Sequence, residues 1–406
     1  MGKTLRLFTV GYPYGVIEAF LVNELPILAR RFDRVIVHPL HPKGELRAVP
    51  PGVEVEPLMD DPYAPASWAL VLRHWRAVLR VVRCARSTAP SFGVFMRRRG
   101  EVVSKMRQAL QRALVLKRVL GPSYDPDRTV LYAYWTSDWA TALGLWKCMD
   151  DRVRFRSRMM GFDMYAHRAK DGWQLFQAFH LQQALAVHPI SADGLAHVRS
   201  TCPAQANKLS LSYLASVDHG AGPWSPAAEL RIASCSNLYE LKRVHLIAEA
   251  LCKVKVPVYW RHVGEGPELD RVRDILRQAP SHVRVDLVGA KPNADVIAWY
   301  KQNPVDVFLH LSRTEGGAPV ALQEAASFGI PLLAADAGGV KEIVSDRTGV
   351  LLPNAIDTTQ VAATIDGWGD STWYTDAARA QVRGTWRERF DAEVVYNAFV
   401  DILLGA

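Results

Sequence analysis

Short apolar runs alternate with longer amphipathic stretches in both halves of the chain. In the first half, an apolar run at residues 5–10 is followed by a turn-rich loop at 11–15, a stretch with helical spacing at 17–31 and a second apolar run at 34–38. Apolar runs without polar alternation are typical of parallel strands that are buried on both faces. The pattern therefore predicts a parallel sheet whose strands are connected by helices.

The same alternation starts again near Arg231. Helical spacing at residues 243–254 and 268–277, and from Pro319 onward, separates further apolar runs. The predicted strands of this second series are residues 232–235, 256–263, 283–288, 306–311, 332–335 and 349–352. Strands that alternate with helices in this way predict a second doubly wound sheet.

An irregular stretch at residues 215–229, which contains Gly and Pro, separates the two series. The sequence therefore predicts an α/β protein with two doubly wound parallel-sheet domains. We expect the first domain at residues 1–215 and the second at 230–385, with a last helix within 386–406.

The composition is that of an ordinary globular protein. Of the 406 residues, 49% are apolar and 22% are charged, which excludes a disordered chain, a collagen-like repeat and a small disulfide scaffold. The five cysteines are far apart and form no C-x-x-C motif, so they favour a reduced compartment. No apolar run reaches the roughly 20 residues of a spanning helix, and the first residues predict a strand instead of a signal peptide. These features predict a cytoplasmic protein.

Positive charge is concentrated in one segment of the first half. Between Arg73 and Arg118 there are 13 Lys and Arg residues against a single acid, Glu101, although the net charge of the whole chain is only +8. A local excess of this kind favours an anionic partner surface. The segment matches none of the usual nucleic-acid-binding modules, so nucleic acid is not an expected partner.

Residues 68–86 of this segment have helical spacing and two different faces. Apolar residues recur every three or four positions at Trp68, Leu72, Trp75, Leu79 and Val82. A helix with tryptophans on one face and arginines on the other fits an anionic membrane, so the basic helices at 68–118 predict peripheral binding to the inner face of the cell membrane. The expected membrane contacts are Trp68, Arg73, Trp75, Arg76, Arg80, Arg83, Arg97, Arg98 and Arg99. The alternative is a helix packed on the core with a solvated basic face.

The most informative stretch for chemistry is residues 311–325. A strand ends before Glu315, two glycines allow the backbone to approach a ligand closely, and Pro319 suits the start of a helix that carries Glu324. A glycine-rich loop that opens a helix is an anion site, because free N–H groups and the helix dipole point outward together. Carboxylates beside such a site accept hydrogen bonds from hydroxyls. The stretch therefore indicates a site for a diphosphate and its sugar.

These residues resemble the signature of glycosyltransferase family 4, whose members are retaining enzymes of the GT-B fold with two glutamates around a Gly/Pro loop. Further matches are the segments 328–331 and 338–344 downstream, and 234–243 and 262–267 upstream. The first half matches more loosely. The resemblance implies two Rossmann-like domains that face a central cleft, with the last helix crossing back to the first domain.

By this resemblance, the second domain binds a nucleotide-sugar co-substrate, with UDP or GDP as the nucleotide, and needs neither a metal nor another cofactor. The residues implied at that site are Asn237, Lys242, Arg243, Gly264, Gly266, Glu315, Gly316, Gly317, Ala318, Pro319 and Glu324. Lys242 would bind the phosphates, Glu315 the donor sugar and Glu324 the ribose. Together with Asp163, these three residues are the expected catalytic set.

The first domain is expected to bind the acceptor, a glycan or a lipid-linked sugar. The acceptor residues implied are Gly15, Glu18, Asp138, Arg158, Met160, Gly161 and Asp163. The alternative for Arg158 and Asp163 is a buried salt bridge. The resemblance implies a hexosyltransferase that acts in cell-surface polysaccharide or glycolipid biosynthesis.

Three positions depart from the family pattern. Eight residues separate Glu315 from Glu324, where the family usually has seven. Asn237 stands in place of an arginine that usually accompanies the phosphate lysine, a role that Arg243 could take over. Met160 stands where a histidine commonly lies beside the donor sugar. Two other functions therefore stay open, a non-catalytic protein that binds nucleotide or membrane, and a glycoside hydrolase with paired carboxylates.

Overall fold

The computed structural model describes residues 2–15 and 17–405. The chain forms two compact units. Unit 1 contains Met1–Tyr213 together with Tyr396–Ala406, and unit 2 contains Leu214–Val395. The pattern of apolar runs predicts domains at residues 1–215 and 230–385 with a last helix within 386–406. The ends of the two units therefore lie close to the ends of the two series of apolar runs.

Unit 1 is built on a six-stranded sheet in which every neighbouring pair is parallel. Its strands are β1 Thr4–Thr9, β2 Arg34–Pro39, β3 Val53–Val55, β4 Thr129–Ala133, β5 Phe155–Met159 and β6 Ala186–Pro189. The order across the sheet is β3-β2-β1-β4-β5-β6. The order reverses between β1 and β4, so the loops that follow these two strands meet at a topological switch point, where ligands of doubly wound sheets bind.

Helices cover this sheet. They are α1 Leu21–Arg31, α2 Trp68–Arg73, α3 Trp75–Thr88, α4 Phe92–Val119, α5 Asp138–Met149, α6 Gly161–Met164, α7 Gln177–Gln183 and α8 Ala192–Thr201. The interior is aromatic and aliphatic, with Phe8, Tyr132 and Trp146 almost fully buried. Burial of such large side chains is the main stabilising contribution, about 1.5–3 kcal/mol for each.

Unit 2 repeats the architecture. Its strands are β7 Leu230–Cys235, β8 Val258–Val263, β9 Val283–Leu287, β10 Val307–His310, β11 Leu332–Ala335 and β12 Gly349–Leu352, in the order β12-β11-β10-β7-β8-β9. Its helices are α9 Val244–Leu251, α10 Leu269–Leu276, α11 Asn293–Gln302, α12 Val320–Ser327, α13 Thr358–Asp366 and α14 Asp376–Phe390. Here β7 and β10 are the neighbours at the switch point. The prediction of two doubly wound parallel sheets is confirmed.

One helix prediction was wrong in detail. Residues 68–86 were expected to form one helix, but α2 ends at Arg73 and α3 begins at Trp75. Between them, His74 leaves helical geometry with φ −108° and ψ 26°. The last helix was expected within residues 386–406, and α15 spans Ala392–Leu404 inside that range, after α14 has ended at Phe390.

Candidate functional site

The loops after β7 and β10 bring Lys242 and Glu315 together. The Lys242 Nζ donates to Glu315 Oε1 over 2.6 Å, although 73 residues separate them in the chain. The backbone joins the same two loops, because Arg313 N donates to Leu241 O over 2.9 Å. Strand order at the switch point of unit 2 places these loops side by side, and this explains the contact.

His310, the last residue of β10, is a second partner of Glu315. Its Nε2 lies 2.9 Å from Glu315 Oε1. Burial alone would raise the pKa of Glu315, but the hydrogen bond from His310 and the charge of Lys242 outweigh burial and hold this pKa well below its usual range. Glu315 is therefore ionised, and its charge is compensated from two sides. Sequence reasoning missed His310; its place at the end of a strand at the switch point was the available signal.

The loop of residues 316–319 is fixed from the side by the glycine turn that follows β11. A Cβ on Gly339 would lie 2.3 Å from the carbonyl carbon of Gly317 and 2.8 Å from Ala318 N. Gly317 and Ala318 are buried beneath this contact. Pro319 is the residue just before α12, so the amides of the loop precede the helix N-terminus. A loop so close to a second backbone keeps one conformation, as an anion site requires.

Gly264 and Gly266 form the turn that follows β8. A Cβ on Gly264 would lie 1.9 Å from Ser236 O, in the loop after β7, and the residue has φ +146°. Its amide donates to Gly289 O, in the loop after β9. Gly264 therefore joins three loops at the carboxyl end of the sheet by close backbone contact that no other residue permits.

Replacing Gly264 with alanine is accordingly expected to destabilise unit 2 strongly. The Cβ clash falls on backbone, which no side-chain rotation relieves, and we expect a loss of at least about 3 kcal/mol. A thermal melt of Gly264→Ala against Gly369→Ala measures it, because a Cβ at Gly369 has nothing within 4 Å. Equal melting temperatures would show that the loops are not packed in this way.

Glu324 lies in α12 and is buried, with 8% of its surface exposed. Asn293 Nδ2, at the first residue of α11, donates to Glu324 Oε1 over 2.8 Å. Burial raises the pKa of Glu324 to about 7, and the hydrogen bond from Asn293 only partly opposes it. Within residues 2–15 and 17–405, Glu324 has no ion pair of the kind that Lys242 forms with Glu315, so this carboxylate can accept hydrogen bonds from hydroxyl groups. Asn293 was not predicted from the sequence.

Arg243 does not stand in for the absent phosphate arginine. Its guanidinium donates to Leu311 O over 2.6 Å and to Ser312 O over 2.9 Å, and it also binds the backbone and side-chain oxygens of Asn354. It is buried and ties the loop after β7 to the loops after β10 and β12. The expectation that Arg243 binds the nucleotide is corrected: four of the five N–H donors of this buried guanidinium are already used by neutral oxygens. Asn237 is exposed in the loop after β7.

In unit 1, Asp163 joins the loops that follow β4 and β5. Its Oδ2 accepts from Thr136 N over 2.7 Å, and its Oδ1 accepts from Met160 N over 2.8 Å. Burial raises the pKa of Asp163 to about 7 against these backbone hydrogen bonds. Met160 and Gly161, at the start of α6, are themselves buried. Asp163 is thus a buried carboxyl that is partly protonated near neutral pH.

A cavity of about 470 Å³ lies beside Asp163. Its walls come from α4, from the loop after β4 with Trp135 and Asp138, and from residues 162–177. Basic side chains of α4 and of the irregular segment at 168–170 contribute to it, and Phe162 is an exposed ring at its edge. Asp138 is paired with Arg112 over 2.9 Å. A cavity of this volume lies within the range of sites that bind small ligands.

Two expected acceptor residues have structural contacts instead. Glu18 is buried, and its carboxylate accepts from the amides of Val10, Gly11 and Tyr12 and from Trp135 Nε1, over 2.7–2.9 Å. It therefore fixes the loop after β1. Gly15, in the same loop, has φ +62°, and its amide donates to Glu45 O.

Arg158 is a third expected acceptor residue that has structural contacts instead. It is fully buried and pairs with the equally buried Glu24 over 3.0 Å, with Phe399 of α15 against its guanidinium. The alternative of a buried salt bridge is the one observed for Arg158, so the expectation that it binds an acceptor is corrected.

The expected membrane contacts are exposed, with one exception. Trp68, Leu72 and Trp75 each expose more than half of their surface, while Val71, Val78, Val81 and Ala85 of the same helices pack inward. Arg98 is only 6% exposed and donates to Glu101, to Lys170 O and to Trp173 O. Its assignment to a membrane surface was therefore wrong.

Across residues 2–15 and 17–405, no cluster of three or more His, Cys, Asp or Glu side chains has the arrangement of a metal site. Over the same residues, none of the helices combines the length and the apolar character that crossing a bilayer requires.

Two sheets of this topology define a class of protein. Each unit contains a six-stranded parallel sheet. In unit 2, the loops that meet at the switch point carry Lys242 and Glu315, with the glycine loop at 316–319 directly after Glu315. This is the GT-B fold of glycosyltransferases, and solved structures with that fold match the whole chain. Anabaena Alr3699/HepE in complex with UDP matches with a TM-score of 0.69 at 16% identity, over 100% of both chains.

Sequence comparison adds a match to a protein family, and the matched residues lie in unit 2. Residues 225–380 match the family model described as glycosyl transferases group 1. A protein of Escherichia coli, provisionally named colanic acid biosynthesis glycosyltransferase WcaL, is 36% identical over 138 residues, which are 32% of this chain and 34% of that protein. The amylovoran biosynthesis glycosyltransferase AmsK of Erwinia amylovora is 25% identical over 43% of this chain and 44% of its own length. The alignment with WcaL thus spans about a third of that relative.

Proposed function

We propose that the chain is a retaining glycosyltransferase that moves a sugar from a nucleotide-sugar donor to a hydroxyl of a glycan or lipid-linked acceptor, in the biosynthesis of a surface polysaccharide. The observation that carries this proposal is the Lys242–Glu315 pair, 2.6 Å long, beside the glycine loop at the switch point of unit 2. A diphosphate needs a cation and backbone N–H groups at the start of a helix, and a sugar needs a carboxylate; Lys242, the glycine loop before α12 and Glu315 occur together here.

The donor would bind unit 2. Backbone N–H groups of the glycine loop before Pro319 would donate to the diphosphate, with Lys242 as the neutralising cation. Because Lys242 and His310 compensate the charge of Glu315, this carboxylate can hold a sugar hydroxyl without repelling the nearby phosphates. Glu324, whose buried carboxyl has Asn293 as its partner, would accept hydrogen bonds from the ribose. We expect UDP or GDP as the nucleotide.

The chemical step breaks the bond between the anomeric carbon and the diphosphate oxygen, and negative charge develops on the departing diphosphate. Lys242 and the loop amides stabilise this charge in place, with no reorganisation during the reaction. The acceptor hydroxyl attacks from the face that the diphosphate leaves, and the diphosphate takes the hydroxyl proton. The configuration at the anomeric carbon is therefore retained. No cofactor beyond the nucleotide-sugar is required by this scheme.

The comparisons support the proposal at a coarser level. The family model covers the unit that carries the donor loops, and the named relatives act in polysaccharide biosynthesis. A protein of the same fold binds UDP.

A panel of nucleotide sugars tests the proposal. We expect one of the UDP-, GDP- or ADP-sugars to raise the melting temperature, since a ligand at 100 times its Kd adds about 2.7 kcal/mol to the free energy of unfolding. The same compound should be hydrolysed slowly, and proton NMR should show that the released sugar first has the anomeric configuration of the donor. Binding without turnover would favour the non-catalytic alternative. Stabilisation by none of them, with cleavage of a glycoside, would favour a hydrolase.

The exposed face of α2 and α3 favours a second, additional property, peripheral binding to an anionic membrane. Trp68, Leu72 and Trp75 are solvent-exposed apolar side chains beside the exposed arginines of the same helices. A buried apolar face packs inward at the same time, so these helices do not need the exposed side chains for folding. Apolar anchors within a basic surface are what an anionic interface binds.

Removing three of these arginines is expected to release the protein from anionic vesicles. Each basic residue near such a surface contributes about 1 kcal/mol, so Arg76→Gln/Arg80→Gln/Arg83→Gln should lower the partition coefficient onto phosphatidylglycerol vesicles at least tenfold in a sedimentation assay. The matched control is Arg271→Gln/Arg273→Gln/Arg277→Gln, which changes the net charge equally on α10 of unit 2. Equal losses in both variants would show a nonspecific charge effect.

A further inference from the structure

The cavity of unit 1 has an excess of positive charge. Four of its lining residues are basic, namely Arg98, Lys105, Arg168 and Lys170. His180 also lines it, but burial lowers the pKa of this imidazole to about 4, so His180 is neutral. The net charge of the cavity therefore depends on its three acidic lining residues, Glu101, Asp138 and Asp163.

Each acid of the cavity is already compensated. Asp138 is paired with Arg112, a buried guanidinium behind the wall. Asp163 has its pKa raised to about 7 by burial, so it carries only part of a negative charge at neutral pH. Glu101 accepts from Arg98 over 2.9 Å and lies 3.7 Å from Lys105. The cavity therefore keeps a net positive charge.

Glu101 is a single carboxylate that faces three cations. The hydrogen bond from Arg98 lowers the pKa of Glu101 against the effect of burial, and the charges of Arg98, Lys105 and Lys170 lower it further. Lys105 shares Glu101 with Arg98, which holds this carboxylate at the shorter distance of 2.9 Å, so one negative charge is divided among these cations. Lys105 and Lys170 are also exposed, so they are available to a ligand.

Lys170 is held at the cavity by the segment around it. Arg98 Nη1 donates to Lys170 O over 2.7 Å and to Trp173 O over 3.2 Å. Arg97 pairs with Asp171 over 3.5 Å. The turn that carries Lys170 is therefore bound to α4 at two neighbouring positions. Because Lys105 lies on α4 itself, Lys105 and Lys170 are both positioned by this helix. Phe162, with 72% of its surface exposed, adds a ring at the same cavity.

We propose that this cavity binds the acceptor through an anionic group, a carboxylate or a phosphate on a sugar, which Lys105 and Lys170 hold while the sugar ring packs against Phe162. The inference rests on the proposed function, because it assigns the cavity to the acceptor. It restricts the expected acceptors to sugars that carry a negative charge, such as a uronic acid residue or a sugar phosphate.

The test compares three probes by saturation-transfer NMR at low ionic strength: methyl glucuronide, methyl glucoside carrying a phosphate, and uncharged methyl glucoside. We expect at least one anionic probe to bind the wild-type protein at least tenfold more tightly than the uncharged one. The carboxylate and phosphate probes distinguish the two sources of the anion, and preference for either supports the proposal.

Lys105→Gln/Lys170→Gln should lose most of this preference, whereas the equally charged control Lys117→Gln/Lys301→Gln should keep it, because those lysines are exposed away from the cavity. Equal binding of the three probes, or a preference that survives in the first variant, would overturn the inference. Hydrolysis of a nucleotide sugar is measured in parallel. If it persists while the anion preference is absent, only this inference fails; if no nucleotide sugar binds, the proposed function fails.

Discussion

Lys242→Ala is expected to release nucleoside diphosphate from its sugar donor at least a hundredfold more slowly than the wild-type protein. Removing one preorganised donor to developing charge typically costs about 3–4 kcal/mol of barrier. The donor KM should change less than kcat, because the charge on the diphosphate grows as the bond to the sugar breaks. A coupled assay for free nucleoside diphosphate measures both constants.

The folded state should tolerate this change, because Glu315 keeps His310 as a partner over 2.9 Å. The matched control is Lys301→Ala, an exposed lysine at the end of α11, which should turn over as the wild type does. A Lys242→Ala protein with wild-type kcat and an unchanged melting curve would remove Lys242 from the mechanism.

Glu324→Gln should stabilise the protein and weaken donor binding at the same time. The native pKa of Glu324 is raised to about 7 by burial, whereas an unfolded glutamate has a pKa of about 4.3. The native state therefore binds this proton more tightly, and stability is lost as the pH rises from about 4 to 7. Above pH 7 the buried charge costs roughly 3 kcal/mol. Glutamine avoids this cost and still accepts from Asn293, so its melting temperature should exceed that of the wild type by several degrees at pH 8 and converge with it near pH 4.

The same substitution replaces a carboxylate acceptor with an amide. Charge-assisted hydrogen bonds contribute about 1.5–3 kcal/mol, so the donor KM should rise at least tenfold at pH 8. In the wild-type protein, donor binding should weaken below pH 7 as Glu324 becomes protonated, and the variant should lose this pH dependence. Glu388→Gln, an exposed glutamate on α14, is the control. A pH-independent difference in melting temperature would contradict the assignment of a raised pKa to Glu324.

The strands of unit 2 could be predicted closely from the sequence. The runs at 332–335 and 349–352 coincide with β11 and β12, because a parallel strand buried on both faces is a short apolar run with polar ends. The glycine loop, Lys242 and Glu315 could be placed at one edge of the sheet for the same reason, since strand ends at a switch point lie together.

The roles of individual charged residues could not be predicted. Glu18, Arg158 and Arg243 have the residue types of a binding site, yet each is buried with partners from distant positions. A side chain's type gives its capacity for hydrogen bonds, but only tertiary structure shows whether that capacity is already used. The cavity lysines were missed because neither belongs to a distinguishing motif: Lys105 is one of many basic residues in the segment from Arg73 to Arg118, and Lys170 lies outside that segment.

The buried carboxylate of Glu18 has a consequence for how a ligand enters unit 1. With three backbone amides and the Trp135 indole as donors, it sets the first-strand loop and one cavity wall in a single arrangement before any ligand arrives. Loops that must be ordered on binding cost conformational entropy, which subtracts from affinity. Since these hydrogen bonds already order this wall, an incoming sugar gives up mainly its own conformational freedom, and less of its interaction energy is spent on ordering the protein.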